Sequence, residues 1–204
     1  ITFLQAFCGL LFIISGWVKA IDPMGTGFKL EQYFNEFSAH LEPTWFSFFG
    51  PVLTELTLYQ NSFSVFMIVL EIVLGVMLLL GSWPKLTAWL FFLIVVFFTL
   101  LTGFTYLTGY VPMDSTFFQF SKWVAYDETN MRVTDCGCFG DFMKLKPKFS
   151  FFKDLVLLVP AIIFIFGYTK FHTLLSPKIR LAIVTLTTLG TLYYCLSNYV
   201  WDLP

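Results

Sequence analysis

Ser62-Phe-Ser-Val-Phe-Met-Ile-Val-Leu-Glu-Ile-Val-Leu-Gly-Val-Met-Leu-Leu-Leu80 is a run of 19 residues in which Glu71 is the single charged side chain. Wound as an α-helix at about 1.5 Å per residue, it matches the ~30 Å hydrocarbon layer of a bilayer. Gly81-Ser-Trp-Pro-Lys85 follows at once, a turn with a cation, and residues 86–107 are apolar again. Two such runs joined so tightly predict a helical hairpin across a membrane. Working outward, residues 1–19, 152–168 and 179–200 repeat the pattern, and Pro160 is expected to kink the fourth span. No stretch alternates apolar and polar residues as a barrel strand would, so helices are the remaining way to satisfy the backbone in lipid. The expectation is an all-α membrane protein, a single bundle of five transmembrane helices over residues 1–204.

Composition agrees with that reading. A hydrophobic share of 57% against 12% charged residues, with mean hydropathy +0.77, exceeds what a soluble core absorbs. The 27 Phe suit acyl chains, and Trp and Tyr suit the headgroup level. A net charge of -1 excludes the basic footprint of a nucleic-acid binder. Residues 1–18 lack a small-residue cleavage site and run into Gly-Trp-Val-Lys, so they read as a retained helix and not a signal peptide. The chain begins without a methionine, which suggests that residues precede Ile1.

The two tight connections, 81–85 and 170–177, must share one face; the long ones, about 20–61 and 108–151, share the other with the C-terminus. In the first long loop Leu30, Tyr33, Phe34, Phe37 and Leu41 recur at helical spacing with Glu31, Gln32, Asn35 and Glu36 between them, which predicts an amphipathic helix lying in the interface. The second long loop is expected to lie in the interface in the same way. Lys85, Lys170, Lys178 and Arg180 mark the short-loop face as cytoplasmic. A raw Lys/Arg count over the long loops points the other way, but long loops obey the positive-inside rule poorly. The expected orientation therefore puts the long loops and C-terminus outside.

Chemistry concentrates in Asp135-Cys-Gly-Cys-Phe-Gly-Asp141. Cys136 and Cys138, separated by a glycine free to take unusual backbone angles, can close a small, strained disulfide, and strain makes a disulfide a better oxidant. Redox exchange is the leading reading of this pair; a stable local staple and metal binding are the alternatives. Metal ranks last because His40 and His172 are remote in sequence and two thiolates alone leave a tetrahedral site incomplete. Asp135 and Asp141 would raise a thiol pKa, whereas Lys144, Lys146 and Lys148 would lower it. Cys8 and Cys195 fall inside predicted spans and read as small hydrophobes, with an electron relay toward a quinone as the sharper alternative. Glu71, an ionisable group at membrane depth, is a candidate for proton transfer, or for a structural bond to Trp17, Lys19 or backbone.

Ser15-Gly-Trp-Val-Lys-Ala-Ile-Asp-Pro23 resembles the opening of the DoxX superfamily, and Cys136-Gly-Cys-Phe-Gly140, with a Lys/Pro/Phe stretch and Asp154 at the head of the next helix, resembles its MauE branch. The resemblance implies a small helical-bundle protein of the bacterial inner membrane, and the orientation read from the Lys/Arg distribution puts its long loops in the periplasm. It also implies redox work beside a periplasmic thioredoxin-like or other envelope partner, with Cys136 and Cys138 as the redox pair and quinone as a potential electron partner. The family's longer forms continue outside the membrane after the fifth helix, so a further segment is expected beyond Pro204. The rival expectation is a non-catalytic membrane subunit. It would dock partners through Phe117, Phe118, Phe120, Trp123, Phe149, Phe151 and Phe152, with the Cys pair as a staple. A transporter is the weakest reading, since no internal repeat stands out.

Overall fold

The computed structural model describes residues 1–42, 44–133 and 146–198, and every regular element among them is helical. The seven α-helices are α1 (Thr2–Ile21), α2 (Pro23–Leu41), α3 (Gly50–Thr57), α4 (Gln60–Leu80), α5 (Pro84–Thr108), α6 (Pro147–Gly167) and α7 (Pro177–Ser197). Five of them, α1, α4, α5, α6 and α7, are long and apolar enough to cross a membrane. The all-α membrane architecture expected from hydropathy is therefore the observed one.

Each span divides its residues between protein and lipid by helical periodicity. In α1, Phe3, Phe7, Leu10, Ile14, Trp17 and Ile21 form an exposed stripe at spacings of three and four, while Gln5, Cys8, Phe12, Ser15 and Lys19 turn inward. That outer stripe is apolar throughout, as a lipid-facing surface must be. The inner stripe packs mainly on α4. Gly9 and Gly75 allow the close approach: a Cβ on either would lie under 3 Å from the other's carbonyl oxygen. α5 pairs with α6, and α7 lies on the outside of α4 with most of its surface toward lipid.

The short-loop face is tightly tied. Gly81 ends α4 with φ 65°, and a Cβ there would collide with the carbonyl of His172. Around this turn Leu174 N–H donates to Leu80 O (3.0 Å), and the Arg180 guanidinium donates to Gly81 O (2.7 Å). Gln5 joins the N-terminal turn to the same place. Its Nε2 donates to Leu78 O (2.9 Å), and its Oε1 accepts from His172 N–H (3.2 Å).

On the opposite face α2 is the expected amphipathic helix, started by Asp22, whose Oδ1 accepts from Gly25 N–H (2.9 Å), with Pro23 in its first turn. Its apolar side buries Leu30, Tyr33 and Phe34 against Leu101 and Phe104 of α5 and against Val133. The short α3 continues the cap. The described part of the second long loop is wound more tightly, with 3-10 turns at Phe120–Lys122 and Glu128–Asn130. Arg132 ties it together, its Nη2 donating to the carbonyls of Pro112 (3.2 Å), Met113 (2.9 Å) and Ser115 (3.3 Å). Helix α6 begins at Pro147, five residues before the expected start, and carries the buried Pro160 without interruption. Proline removes a donor, so the Val156 carbonyl loses its usual helical partner there.

Candidate functional site

A charge buried in lipid must find a partner, and Glu71 has found Lys19. The Lys19 ammonium lies 2.6 Å from Glu71 Oε2, with both side chains almost wholly buried. It also donates to Ser15 Oγ one turn earlier (3.4 Å) and sits over the Phe98 ring, 4.4 Å from its centre. Of the partners expected for Glu71, Trp17 is excluded: it points outward and stacks on Tyr194 at 5.0 Å. Lys19 is two residues from the end of α1, near enough to the surface to snorkel outward, yet it turns inward.

Two small cavities flank this pair, each about 30 Å³ in water-accessible volume. Lys19, Glu71 and Phe98 wall both of them. The first opens toward α2, with Thr26, Lys29, Leu30 and Tyr33 on its far side. The second runs to α6, where Lys153 and Asp154 complete the lining. Asp154 is itself buried; Oδ2 accepts from Thr102 Oγ1 (3.0 Å) and Oδ1 lies 3.0 Å from Lys153 Nζ. Two carboxylates and three ammonium groups, Lys29 included, thus line these cavities. Opposite charges in contact lower the cost of holding one another at low dielectric.

Cys136 and Cys138, with Asp135, Asp141 and Lys144, lie outside the described residues. The segment that carries them leaves from Val133, packed in one cluster with Leu30, Tyr33 and Leu101, and returns at Lys146 just before α6. Leu30, Tyr33 and Leu101 also wall the first cavity, and Asp154 of α6 walls the second.

The other two cysteines do not join this centre. Cys8 is fully buried among Phe12, Leu74, Leu78 and Phe91, whereas Cys195 is buried in a separate cluster with Ala20, Ile68 and Ile72. Both are free thiols, and neither lines the two cavities. Among the described residues no three His, Cys, Asp or Glu side chains gather as a metal site would require.

The expected docking aromatics divide. Phe117 packs on Phe104, His40 and Trp123, and Phe151 stacks on Tyr106, while Phe118, Phe120, Phe149 and Phe152 are exposed. His40 fastens this loop to α2: its Nδ1 accepts from Phe117 N–H (3.2 Å). Burial, reinforced by the Arg132 charge, holds the His40 pKa below its ordinary 6.5.

Asp154 escaped the sequence reading of the interior because the helix was expected to start at 152, which put this residue at its head. With α6 beginning at Pro147, Asp154 lies two turns inside. The available signal was Pro147 itself, a residue favoured in the first turn of a helix.

Fold and site together define a multi-pass, all-α membrane protein with a charged interior. Compared with family models, with curated proteins and with solved structures, the chain has no significant match.

Proposed function

We propose that this chain is a membrane-embedded thiol-disulfide exchange protein working through Cys136 and Cys138. The observation that supports the reading is the buried Lys19–Glu71 pair beneath the face from which the cysteine segment leaves and to which it returns. Ionisable groups inside a membrane bundle are costly to maintain and mark function by default. Exchange chemistry has a use for them: a thiol must shed its proton before it attacks, and a departing thiolate must take one up.

The exchange balances with the disulfide of a second partner as the oxidant. A thiolate of a reduced partner attacks one sulfur of the Cys136–Cys138 disulfide, the S–S bond breaks, and a mixed disulfide forms. The partner's second thiolate then displaces the chain's cysteine, so the partner leaves oxidised and the pair is left as a dithiol. A second partner bearing a disulfide reoxidises the pair by the reverse steps. No step of the exchange is routed through a quinone. The long-loop face is the periplasmic side of a bacterial inner membrane in this proposal, and the partners are thioredoxin-like or other envelope proteins.

Trapping tests it. Of the variants Cys136→Ser and Cys138→Ser in native membranes, the one that keeps the attacking cysteine should arrest exchange at the mixed disulfide with the disulfide-bearing partner, seen as partner adducts on non-reducing gels. If neither variant captures a partner and the wild-type pair cannot be reduced by any thiol donor, the exchange reading fails.

A second reading has one observation in its favour. Trp45, Phe46, Phe48 and Phe49, with Val52, Leu58 and Tyr59, are all exposed on the long-loop face. A non-catalytic subunit would use such a surface for docking, and the cysteine pair would then be a staple whose potential lies far below that of the envelope.

A further inference from the structure

The short-loop face carries cations without counter-charges. Lys85, Lys170, Lys178 and Arg180 lie on it, and residues 72–113 and 155–201, which hold its turns and their flanks, contain no Asp or Glu. Among the described residues no ion pair reaches any of the four. Two of them, Lys178 and Arg180, share with Ser82, Trp83, Pro84 and Leu181 the wall of a cavity of about 460 Å³, where α4 ends and α5 and α7 begin. Small-molecule sites commonly span about 300–1,000 Å³.

The polar groups of this wall are fixed in place. The Arg180 guanidinium is held by its bond to Gly81 O (2.7 Å), the carbonyl of the peptide that leads into Ser82. Ser82 is only 3% exposed; its N–H donates to Met77 O (3.0 Å) and its carbonyl accepts from Thr87 Oγ1 (2.6 Å). Its hydroxyl, like the Arg180 Nε–H, is buried with no hydrogen-bond partner among the described residues. Buried polar groups are nearly always paired, so two unpaired donors on residues of one cavity wall point to an acceptor that belongs there. Helices α5 and α7 also start at this cavity, each with proline in its first turn and no side-chain cap, and their dipoles add to the positive field.

We infer that this cavity binds the phosphodiester headgroup of an anionic phospholipid from the leaflet on the short-loop face. Arg180 and Lys178 supply the charge, and the Ser82 hydroxyl donates to a phosphate oxygen. Position favours a lipid over a soluble anion: the cavity lies at the ends of three spans, Trp83 is exposed at headgroup level, and Leu86, Ile179 and Leu181 expose apolar side chains beside it for the acyl chains. Basic pockets between helix ends are the form that anionic-lipid sites take in membrane proteins. Helix α7 packs on α4 and α1 and makes no comparable contact with α5, so a headgroup seated here ties the start of α7 to that of α5.

The full chain, purified in an uncharged detergent and given phosphatidylglycerol or phosphatidylcholine, tests it, with bound lipid counted by native mass spectrometry. Phosphatidylcholine carries the same phosphodiester without net charge and should bind at least about tenfold more weakly than phosphatidylglycerol. Lys178→Gln should weaken phosphatidylglycerol binding about fivefold, the contribution of one cation beside an anionic headgroup. Ser82→Ala should weaken it about threefold to tenfold through the lost hydrogen bond. Lys170→Gln, which removes an exposed cation of the same face outside the cavity, should change it less than about twofold. Arg180 is left intact because its bond to Gly81 also holds the turn. Equal binding of the two lipids overturns the proposal, and that comparison needs no variant. A loss in Lys170→Gln as large as that in Lys178→Gln also overturns it, because the charge of the whole face would then be the cause. So does unchanged affinity in Ser82→Ala. Displacement of the lipid by millimolar inorganic phosphate overturns it as well, by making the site one for a soluble anion.

Discussion

Lys19 on α1 and Glu71 on α4, 52 residues apart in the chain, meet at 2.6 Å inside the bundle, and the α1–α4 interface is close-packed around Gly9 and Gly75 on one side of them. The pair therefore joins the two helices by charge where the neighbouring turns join them by shape. Both side chains also line the two small cavities on either side.

Removing one partner should be far worse than removing both. Glu71→Gln strands the Lys19 ammonium in a buried setting, for which a loss of about 3–5 kcal/mol is expected. A Lys19→Met, Glu71→Leu double variant fills similar volume without charge and should recover most of that stability. Reversible unfolding in detergent measures both. A double variant no more stable than Glu71→Gln would show that the pair is not what the single change disrupts.

Hydropathy made the five spans legible because lipid imposes one demand, continuous apolar length, that any sequence must display openly. The amphipathic α2 was legible for a related reason: Leu30, Tyr33 and Phe34 share a face only at helical spacing. The interior charges were harder. Glu71 stood out as the lone carboxylate in its span, but no local pattern tells whether Lys19, so near its helix end, snorkels outward or turns in. Asp154 was hidden by an error of five residues in a helix start. Charges that meet through tertiary packing leave no periodic trace, so their pairing was visible only once the helices were placed.

The turn at Gly81 should not tolerate a side chain. Its φ of 65° favours glycine, and a Cβ would meet the His172 carbonyl, which neighbours the Gln5 and Leu174 hydrogen bonds. Gly81→Ala should cost about 1–3 kcal/mol from the backbone conformation, before the clash is added. Ser82→Ala, next along the turn, should cost less than half as much. Comparable losses at the two positions in thermal unfolding would refute the backbone argument.

Thiol labelling should separate the four cysteines into two classes. Cys8 and Cys195 are fully buried, so a bulky maleimide should modify them only after unfolding. Under the exchange reading Cys136 and Cys138 should label in the folded, reduced protein and resist after oxidation. Adding Cys8→Ala and Cys195→Ala to the trapping variant should leave partner capture unchanged; loss of capture would point to a path through the bundle.

The contact between His40 and Phe117 should make the long-loop cap sensitive to acid. Nδ1 of His40 accepts from Phe117 N–H, which requires the neutral ring, and the folded pKa is held below 6.5 by burial and then by Arg132. Glu36 Oε2, 3.6 Å from Nε2, is the carboxylate that favours the charged ring, but it is one-third exposed and beyond hydrogen-bond distance. For a group whose folded pKa is depressed, the open form binds more protons, so docking is fully stable above about pH 6.5 and weakens as the pH falls through that value toward the folded pKa. Hydrogen exchange at the Phe117 amide, corrected for its intrinsic pH dependence, should therefore lose protection progressively below about pH 6.5. His40→Asn places an uncharged carbonyl oxygen near the Nδ1 position and cannot titrate, so its protection should be flat across the same range. Equal acid sensitivity in wild type and His40→Asn would assign the effect to another group and leave His40 as a packing residue only.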